Sequence, residues 1–160
     1  MLTITIIAVG RLKDKFYEDA AAEYVKRLGA YAKVNIVELR AADLPEDPAP
    51  ALVADALKRE GQEMLRKIPA GAYVAALCIE GKQITSEDMA ALLTDAPLAG
   101  KSQLVFLIGG SYGLSDEVKK RADARLSMSR MTFPHRLARV MLLEQLYRGF
   151  KIARGERYHK

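Results

Sequence analysis

A glycine-rich segment, Ile108-Gly109-Gly110-Ser111-Tyr112-Gly113, has residue types that suggest ligand binding. It directly follows Gln103–Ile108, a strongly apolar run that is typical of a buried strand. Ligands bind beyond the carboxyl ends of parallel strands, and adjacent glycines there let a ligand touch the backbone and permit a positive φ. We interpret the segment as part of a ligand site. The alternative is a tight turn that needs glycine for its own geometry.

The segment Met128–Arg136 combines soft apolar side chains with hydroxyl groups before it turns through Pro134 into a basic helix. Met and Phe side chains at a strand end could enclose an adenine ring. The alternative is that each of them belongs to the core.

The C-terminal tail Arg154–Lys160 places two polar groups, Tyr158 and His159, among cations. Such a tail could close over a bound RNA as a lid. A frayed and solvated terminus is the alternative, because polar terminal segments bury little surface. The residues alone favour the solvated terminus.

Several motifs of known catalytic and nucleotide-binding sites are incomplete or absent, which excludes the reactions that depend on them. Gly100-Lys101-Ser102 looks like the end of a phosphate-binding P-loop, but the required earlier glycine is Asp95 and a strand follows instead of a helix. One cysteine and two histidines provide no pair with metal-ligand spacing. No G-x-G-x-x-G motif is present. We therefore expect chemistry without a metal.

Charge is distributed unevenly along the chain. The formal net charge is +5, from 25 Lys and Arg against 20 Asp and Glu, and residues 117–160 hold twelve of the cations but only four of the acids. A basic segment on a mildly acidic body is typical of a surface that binds phosphates. A solvated basic helix face is the alternative, so charge by itself leaves nucleic-acid binding open.

Strand and helix patterns alternate through the sequence. The predicted strands are Leu2–Val9, Lys33–Arg40, Tyr73–Ile79, Gln103–Ile108 and Leu126–Met131. The predicted helices are Asp14–Leu28, Ala51–Lys67, a helix from a cap at Thr85 or Ser86 to Asp95, a short helix capped by Ser115, and Arg136–Ala153. This alternation predicts an α/β fold with a parallel sheet covered by helices on both faces. No linker divides the chain, so we expect one domain over residues 1–160.

The last helix carries more apolar surface than one core contact requires. Its stripe consists of Leu137, Val140, Met141, Leu143, Tyr147 and Phe150, with Leu142 and Leu146 off its centre. A second copy of the chain is the simplest source of a second burial surface, so the pattern favours a homodimer. Burial between the sheet and a neighbouring helix is the alternative.

Composition places the chain among ordinary globular proteins. Half of the residues are apolar, 28% are charged, and no uncharged stretch approaches the roughly 20 apolar residues that a membrane helix needs. Met1–Gly10 is atypical of a signal peptide, because no basic residue precedes it and it leads into a charged segment. The single cysteine, Cys78, is more typical of a buried strand residue than of a nucleophile. We expect a cytoplasmic protein with no membrane partner.

Five segments occur in an order and at distances that carry a resemblance to a known family. They are Val9-Gly10-Arg11-Leu12-Lys13, Lys58-Arg59-Glu60-Gly61-Gln62, Leu107-Ile108-Gly109-Gly110-Ser111-Tyr112-Gly113, Met131-Thr132-Phe133-Pro134-His135 and Arg154-Gly155-Glu156-Arg157-Tyr158-His159-Lys160. Together they resemble the ribosomal RNA large subunit methyltransferase H family of the SPOUT class. The resemblance extends from residue 1 to residue 160.

The resemblance implies a fold, a reaction and partners. The C-terminal part of the sheet would be tied in a deep trefoil knot, and the protein would be a homodimer. It would transfer a methyl group from S-adenosylmethionine, without a metal, to N3 of a pseudouridine in 23S rRNA of the assembled ribosome. The cofactor contacts carried over from the family are Leu77, Gly109, Met128, Ser129, Arg130, Met131, Thr132 and Phe133.

The resemblance also assigns roles to the polar candidates. N3 carries a proton that must leave, so the site needs a base or a cation that favours the deprotonated ring. The catalytic candidates are His135, Tyr158 and His159, and the RNA-binding candidates are Arg136, Arg154, Arg157 and Lys160. The tail is then interpreted as a lid ordered by RNA. Two alternatives stay open: a related SPOUT methyltransferase that acts on transfer RNA, and a ribosome- or RNA-binding module without catalysis.

Overall fold

A computed structural model describes residues 1–160 as an alternation of strands and helices. The strands are β1 (Thr3–Val9), β2 (Lys33–Leu39), β3 (Tyr73–Gln83), β4 (Gln103–Ile108) and β5 (Ala124–Ser127). The helices are α1 (Lys15–Leu28), α2 (Pro50–Arg66), α3 (Ser86–Leu98), α4 (Asp116–Arg121) and α5 (His135–Ala153). Every element predicted from the sequence is present. None of the helices has both the length and the apolar character needed to cross a membrane.

The five strands form one parallel sheet in the order β2-β1-β4-β3-β5. β4 lies in the middle, between β1 and β3. Each strand is followed by a helix, and the first four helices return the chain to the end of the sheet where the next parallel strand begins. This arrangement confirms the predicted α/β class. The trefoil knot implied by the resemblance stays a prediction.

Side chains of β1 alternate between two hydrophobic cores, one on each face of the sheet. Ile4 and Ile6 join a core with residues of α1, α3 and α5. Ile7 and Val9 join a second core with residues of α2 and α4. Both faces are buried, which explains why the strand is a nearly continuous apolar run in the sequence. The predicted covering of the sheet by helices on both faces is confirmed.

The last strand is shorter than predicted, because β5 ends at Ser127 and the chain then forms a loop as far as α5. The hydroxyl of Ser127 donates to the carbonyl of Ser129 at 2.9 Å. The amide of Met131 donates to the hydroxyl of Ser129 at 3.0 Å. These local contacts compete with the hydrogen bonds of a strand and turn the backbone. The prediction of a strand as far as Met131 is therefore wrong.

β3 runs to Gln83, past its predicted end at Ile79. Its pairing with β5 changes register between Leu77 and Lys82. Gly81 lies within this irregular stretch, and a Cβ there would be only 2.8 Å from the backbone of β5. Glycine therefore lets the two strands approach each other closely at the bulge.

The side of α5 that faces the core differs from the predicted stripe. Leu142, Leu143 and Leu146 have no exposed surface. Leu142 and Leu146, placed off centre from the sequence, therefore lie at the centre of the buried side. Val140 also packs against this core. Leu143 thus lies in the interior of its own chain, and the prediction that it faces a second subunit is wrong. Val140 is only partly buried in this core.

Candidate active site

A cavity of about 850 Å³ opens at the carboxyl ends of β3, β4 and β5, which are neighbours in the sheet. Its wall consists of the end of β3, the glycine-rich segment after β4, the loop after β5 and the first turn of α5. Small-molecule sites in proteins typically have volumes of roughly 300 to 1,000 Å³. The cavity therefore lies where the sequence predicts a ligand site and has a suitable size for one.

The glycine-rich segment folds back on itself at the wall of the cavity. The amide of Gly113 donates to the carbonyl of Gly110 at 3.1 Å, and Gly113 has a φ of +81°. A Cβ on Gly109 would overlap the backbone of Gly113. Glycine at position 109 is therefore required by the backbone of the loop itself, which was the alternative interpretation. The same residue also lines the cavity.

The loop after β5 supplies much of the apolar wall. Residues predicted to contact a cofactor that line the cavity are Leu77, Gly109, Met128, Ser129, Met131, Thr132 and Phe133. Arg130 is exposed and is not among the lining residues. Met131 is 72% exposed, Ile79 is 50% exposed and Tyr112 is 49% exposed, although all three are large and mostly apolar. A ligand in the cavity would remove some of this apolar surface from water.

His135 begins α5 and lines the cavity. Its pKa is lowered, first by burial and then by the positive charges of Arg136 and Arg139. Of the two histidines in the chain, only His159 makes side-chain hydrogen bonds. A neutral imidazole has one nitrogen that accepts a proton, so His135 is equipped to act as a base at neutral pH.

Arg139, one turn after His135, attaches α5 to the ends of β1 and β2. Its Nη1 pairs with the carboxylate of Glu38 at 2.5 Å, and its Nη2 donates to the carbonyl of Gly10 at 2.9 Å. The side chain is 2% exposed, and its Nε is buried without a partner. Arg139 thereby fixes the first turns of α5 and with them the place of His135. No local pattern in the sequence marks Arg139 as a site residue, because its partners lie 101 and 129 residues away along the chain.

An ion pair and a thiol also line the cavity, and neither was predicted there. Lys119 of α4 pairs with Glu80 of β3, and this hydrogen bond is the main cause that lowers the pKa of Glu80. Burial, followed by the charge of Glu80, raises the pKa of Cys78. A raised pKa keeps the thiol protonated, which agrees with a structural rather than a nucleophilic cysteine. No three His, Cys, Asp or Glu side chains are grouped so that they could hold a metal ion.

Tyr158 and His159 contact helices of their own chain instead of the cavity. The hydroxyl of Tyr158 donates to Glu144 of α5 at 3.1 Å. Nδ1 of His159 lies 3.1 Å from Nη1 of Arg148, and Nε2 of His159 lies 3.0 Å from a carboxylate oxygen of Glu87 in α3. The tail therefore lies along the outer side of α5, where these hydrogen bonds hold it.

These contacts define what each tail group can do. Burial, followed by the charge of Glu144, raises the pKa of Tyr158 to about 12, so its phenol is a hydrogen-bond donor at neutral pH. An arginine only donates, so Nδ1 of His159 accepts from Arg148 and Nε2 carries the proton that is donated to Glu87. The accepting nitrogen of His159 is thus already occupied.

The tail groups and His135 lie at different places along α5. Glu144 and Arg148 follow His135 by nine and thirteen residues, which corresponds to about 14 to 20 Å along the helix axis. The structure thus places His135 at the cavity, but it places Tyr158 and His159 of the same chain elsewhere.

The predicted RNA-binding cations are divided between the two ends of α5. Arg136 lies near the cavity, where it is 3.9 Å from the carboxylate of Asp14. Arg154 stacks on Tyr31, which lies in the turn after α1, and its Cζ is 4.6 Å from the centre of the ring. Arg157 and Lys160 are exposed at the end of the tail.

The class of the chain follows from comparison with known families, and its parallel sheet and cavity agree with that class. The profile of the family described as "Predicted SPOUT methyltransferase" matches residues 2–159. The chain belongs to this family.

Several relatives carry one particular name within this class. A protein of Pelotomaculum thermopropionicum named "Ribosomal RNA large subunit methyltransferase H" is 52% identical over 159 residues, which cover 99% of each chain. Proteins with the same name from Carboxydothermus hydrogenoformans and Bifidobacterium adolescentis are 47% and 50% identical, and each comparison covers 99% of this chain and 100% of the relative. The chain is therefore similar to these proteins over its whole length.

Proposed function

We propose that the chain methylates N3 of a pseudouridine in 23S rRNA of the assembled ribosome, with S-adenosylmethionine as the methyl donor. The observation that carries the proposal is the cavity at the ends of β3, β4 and β5, which has His135 on its wall. The names of the relatives support a ribosomal RNA substrate. The basic C-terminal part of the chain supports a partner rich in phosphates. We assign residues 1–160 to one SPOUT methyltransferase domain that works in the cytoplasm.

The cavity suits S-adenosylmethionine in its size and in the character of its wall. The residues that would hold this cofactor are Leu77, Gly109, Met128, Ser129, Met131, Thr132 and Phe133. Apolar Met128 and Phe133 suit an adenine ring, and the hydroxyls of Ser129 and Thr132 suit polar groups. When bound, S-adenosylmethionine supplies a methyl group that its positive sulfur has already activated. The protein then contributes mainly by holding the reacting atoms in line.

We assign to His135 the removal of the proton from N3. Its accepting nitrogen makes no hydrogen bond within the chain, whereas that of His159 accepts from Arg148. Transfer of the N3 proton to His135 leaves a lone pair on N3 for the incoming methyl group. Burial lowers the pKa of His135 first, and the positive charges of Arg136 and Arg139 lower it further. These charges also favour the negative charge that develops on the pseudouridine ring.

A second copy of the chain explains how the tail could take part. Tyr158 and His159 lie far along α5 from the cavity of their own chain, so a cavity of a second subunit is the simplest one for them to complete. The outward side of α5 carries Leu137 and Met141, which are apolar and only half-buried within one chain. We propose a homodimer in which this side is buried and the tail of one subunit closes the cavity of the other. In that assembly the tail brings Tyr158 and His159 to the cavity of the other subunit, and the cations Arg154, Arg157 and Lys160 contact RNA, as does Arg136 beside the cavity.

Methyl transfer to different RNAs tests the proposed function. The purified chain is mixed with methyl-labelled S-adenosylmethionine and with assembled ribosomes, free large subunits or transfer RNA. We expect label in 23S rRNA of assembled ribosomes, on a nucleoside that mass spectrometry identifies as a methylated pseudouridine. Label in transfer RNA would instead support the related SPOUT enzyme. Ribosome binding with no transfer and no cofactor binding by calorimetry would support a non-catalytic module.

A further inference from the structure

The loop between β1 and α1 lies beside the cavity, although no role has been assigned to it. It follows Val9 and contains Gly10, Arg11, Leu12 and Lys13. A Cβ on Gly10 would be 3.8 Å from Nε2 of His135, so the loop packs against the catalytic candidate.

Two arginines of α5 hold this loop by its backbone. The carbonyl of Gly10 accepts from Nη2 of Arg139 at 2.9 Å. The carbonyl of Arg11 accepts from Nε of Arg136 at 3.2 Å. The main chain of the loop is therefore fixed relative to the start of α5, and its side chains project from a defined position.

The side chains of the loop alternate between the core and the solvent. Leu12 is 7% exposed and belongs to the core, whereas Arg11 and Lys13 are exposed on either side of it. Arg136 and Arg139 pair with carboxylates of Asp14 and Glu38. The ion pairs of the chain include neither Arg11 nor Lys13, so their charges are free to meet an external anion.

A third free cation lies on another side of the cavity. Arg130 belongs to the loop after β5, is exposed and takes part in no ion pair. Its neighbours Ser129 and Met131 line the cavity. Lys119 is the one Lys or Arg side chain that lines the cavity, and it pairs with Glu80. Uncompensated positive charge is thus placed at the edge of the cavity on two sides.

We propose that Arg11 and Lys13 bind backbone phosphates of the substrate RNA on the His135 side of the cavity, while Arg130 binds the RNA backbone on the other side. This inference rests on the proposed function, because it needs a target nucleotide in the cavity. A base inserted there has a phosphate on each side of it, which matches cations on two sides of the opening. Exposed Arg and Lys without protein partners make contacts that position the RNA and read no sequence.

The test compares two double variants that remove the same charge. Arg11→Ala with Lys13→Ala removes the proposed contacts. Lys33→Ala with Lys67→Ala is the control, because both lysines are exposed and make no ion pair. They lie at the amino ends of the strands, where β2 and β3 begin, and thus at the end of the sheet away from the cavity. Ribosome binding is measured over a range of salt concentrations, methyl transfer at several ribosome concentrations, and S-adenosylmethionine binding by calorimetry.

We expect the Arg11 and Lys13 variant to bind ribosomes at least about tenfold more weakly, with a slope of log affinity against log salt that is shallower by about 1 to 2. KM for ribosomes rises, kcat changes little, and cofactor affinity matches the wild type. An affinity and a salt slope equal to those of the control would overturn the inference. A weaker affinity with an unchanged slope would also overturn it, because the lost contact was then not with phosphate. A wild type that binds ribosomes but transfers no methyl group contradicts the proposed function instead, and the binding comparison still decides on the loop.

Discussion

The hydroxyl of Tyr158 and the carboxylate of Glu144 are joined by a hydrogen bond of 3.1 Å. The same carboxylate oxygen accepts from Nε and Nη2 of Arg148 at 2.9 and 2.6 Å. Arg148 in turn contacts His159, so Glu144 connects both tail groups to α5. The position of the tail therefore depends on one partly buried carboxylate.

Glu144→Ala should release the tail without unfolding the domain. Tyr158 loses its acceptor and Arg148 loses its ion pair, so the last residues should exchange amide hydrogens faster. Methyl transfer to ribosomes should fall by at least tenfold, with S-adenosylmethionine affinity reduced only modestly. Hydrogen exchange read by mass spectrometry checks this, with Glu63→Ala, which removes an exposed ion pair to Arg66, as the control. Unchanged exchange in the tail would contradict the role of Glu144.

Deletion of Arg154–Lys160 should lower methyl transfer more than Glu144→Ala does, and it should have little effect on folding. The tail is polar, and its main apolar contact is Tyr158 against Tyr147, with ring centres 4.9 Å apart. We expect a cooperative thermal transition within a few degrees of the wild type, because little core is lost. Transfer to ribosomes should fall by orders of magnitude. Wild-type turnover by the truncated chain would show that the tail is only a solvated end.

Replacement of His135 should change the pH dependence of turnover. The lowered pKa of His135 keeps the ring neutral at pH 7, so wild-type kcat should be full there and should fall only as the pH drops below about 6.5, the usual value for histidine. His135→Ala should lose roughly 10²- to 10⁴-fold in kcat and partly recover at alkaline pH, where hydroxide removes the N3 proton. The matched variant His159→Ala should keep the acid limb of the wild type. An acid limb that persists in His135→Ala and vanishes in His159→Ala would reverse the assignment.

Gly109 and Gly110 should differ sharply in their tolerance of alanine. A Cβ at Gly109 overlaps the backbone of Gly113, whereas a Cβ at Gly110 meets only a side-chain carbon of Val9 at 3.3 Å. Gly109→Ala should therefore distort the loop, lower the free energy of unfolding by roughly 1 to 3 kcal/mol, and weaken S-adenosylmethionine binding. Gly110→Ala should remain close to the wild type in both measurements. Calorimetric titration and thermal unfolding of the two variants check this, and equal behaviour would count against the loop geometry.

Charged substitutions on α5 should distinguish its core residues from those in the subunit contact. Leu143→Glu buries a carboxylate in the interior and should destabilise the chain itself by roughly 3 to 5 kcal/mol. Met141→Glu lies on the outward side and should leave the chain folded but convert the dimer to a monomer. Sedimentation of both variants and the wild type is the measurement. A wild type that sediments as a monomer at micromolar concentration would refute the homodimer.

Local patterns were sufficient to predict most of the fold, because the apolar strands and amphipathic helices follow from spacing along the chain. The end of β5 was not predictable, because the turn there depends on hydrogen bonds of Ser127 and Ser129 rather than on hydropathy. The centre of α5 was misplaced for a related reason. Eight apolar residues on one helix define an arc, but the packing of the sheet decides which part of that arc becomes the core.

The candidate site was predictable where its residues follow strands directly and at His135, which follows the turn at Pro134. The glycine-rich segment and the loop after β5 are adjacent to strand ends, so their convergence follows from a parallel sheet. Arg139 and Lys119 reach the site through partners that are remote in sequence, and no local pattern marks them. The separation of Tyr158 from His135 likewise depends on where the tail folds back, which spacing alone does not specify.

The central pairing of the sheet has a consequence for how the chain acquires its structure. Thr3 of β1 is in register with Gln103 of β4, one hundred residues further along. Pairings between such distant segments form slowly, because a long loop must close before any hydrogen bond is gained. On the ribosome, β1 emerges early and keeps one apolar edge unpaired until β4 has been synthesised. The nascent chain is therefore most exposed to aggregation during this interval, and it should depend most on chaperones before β4 arrives.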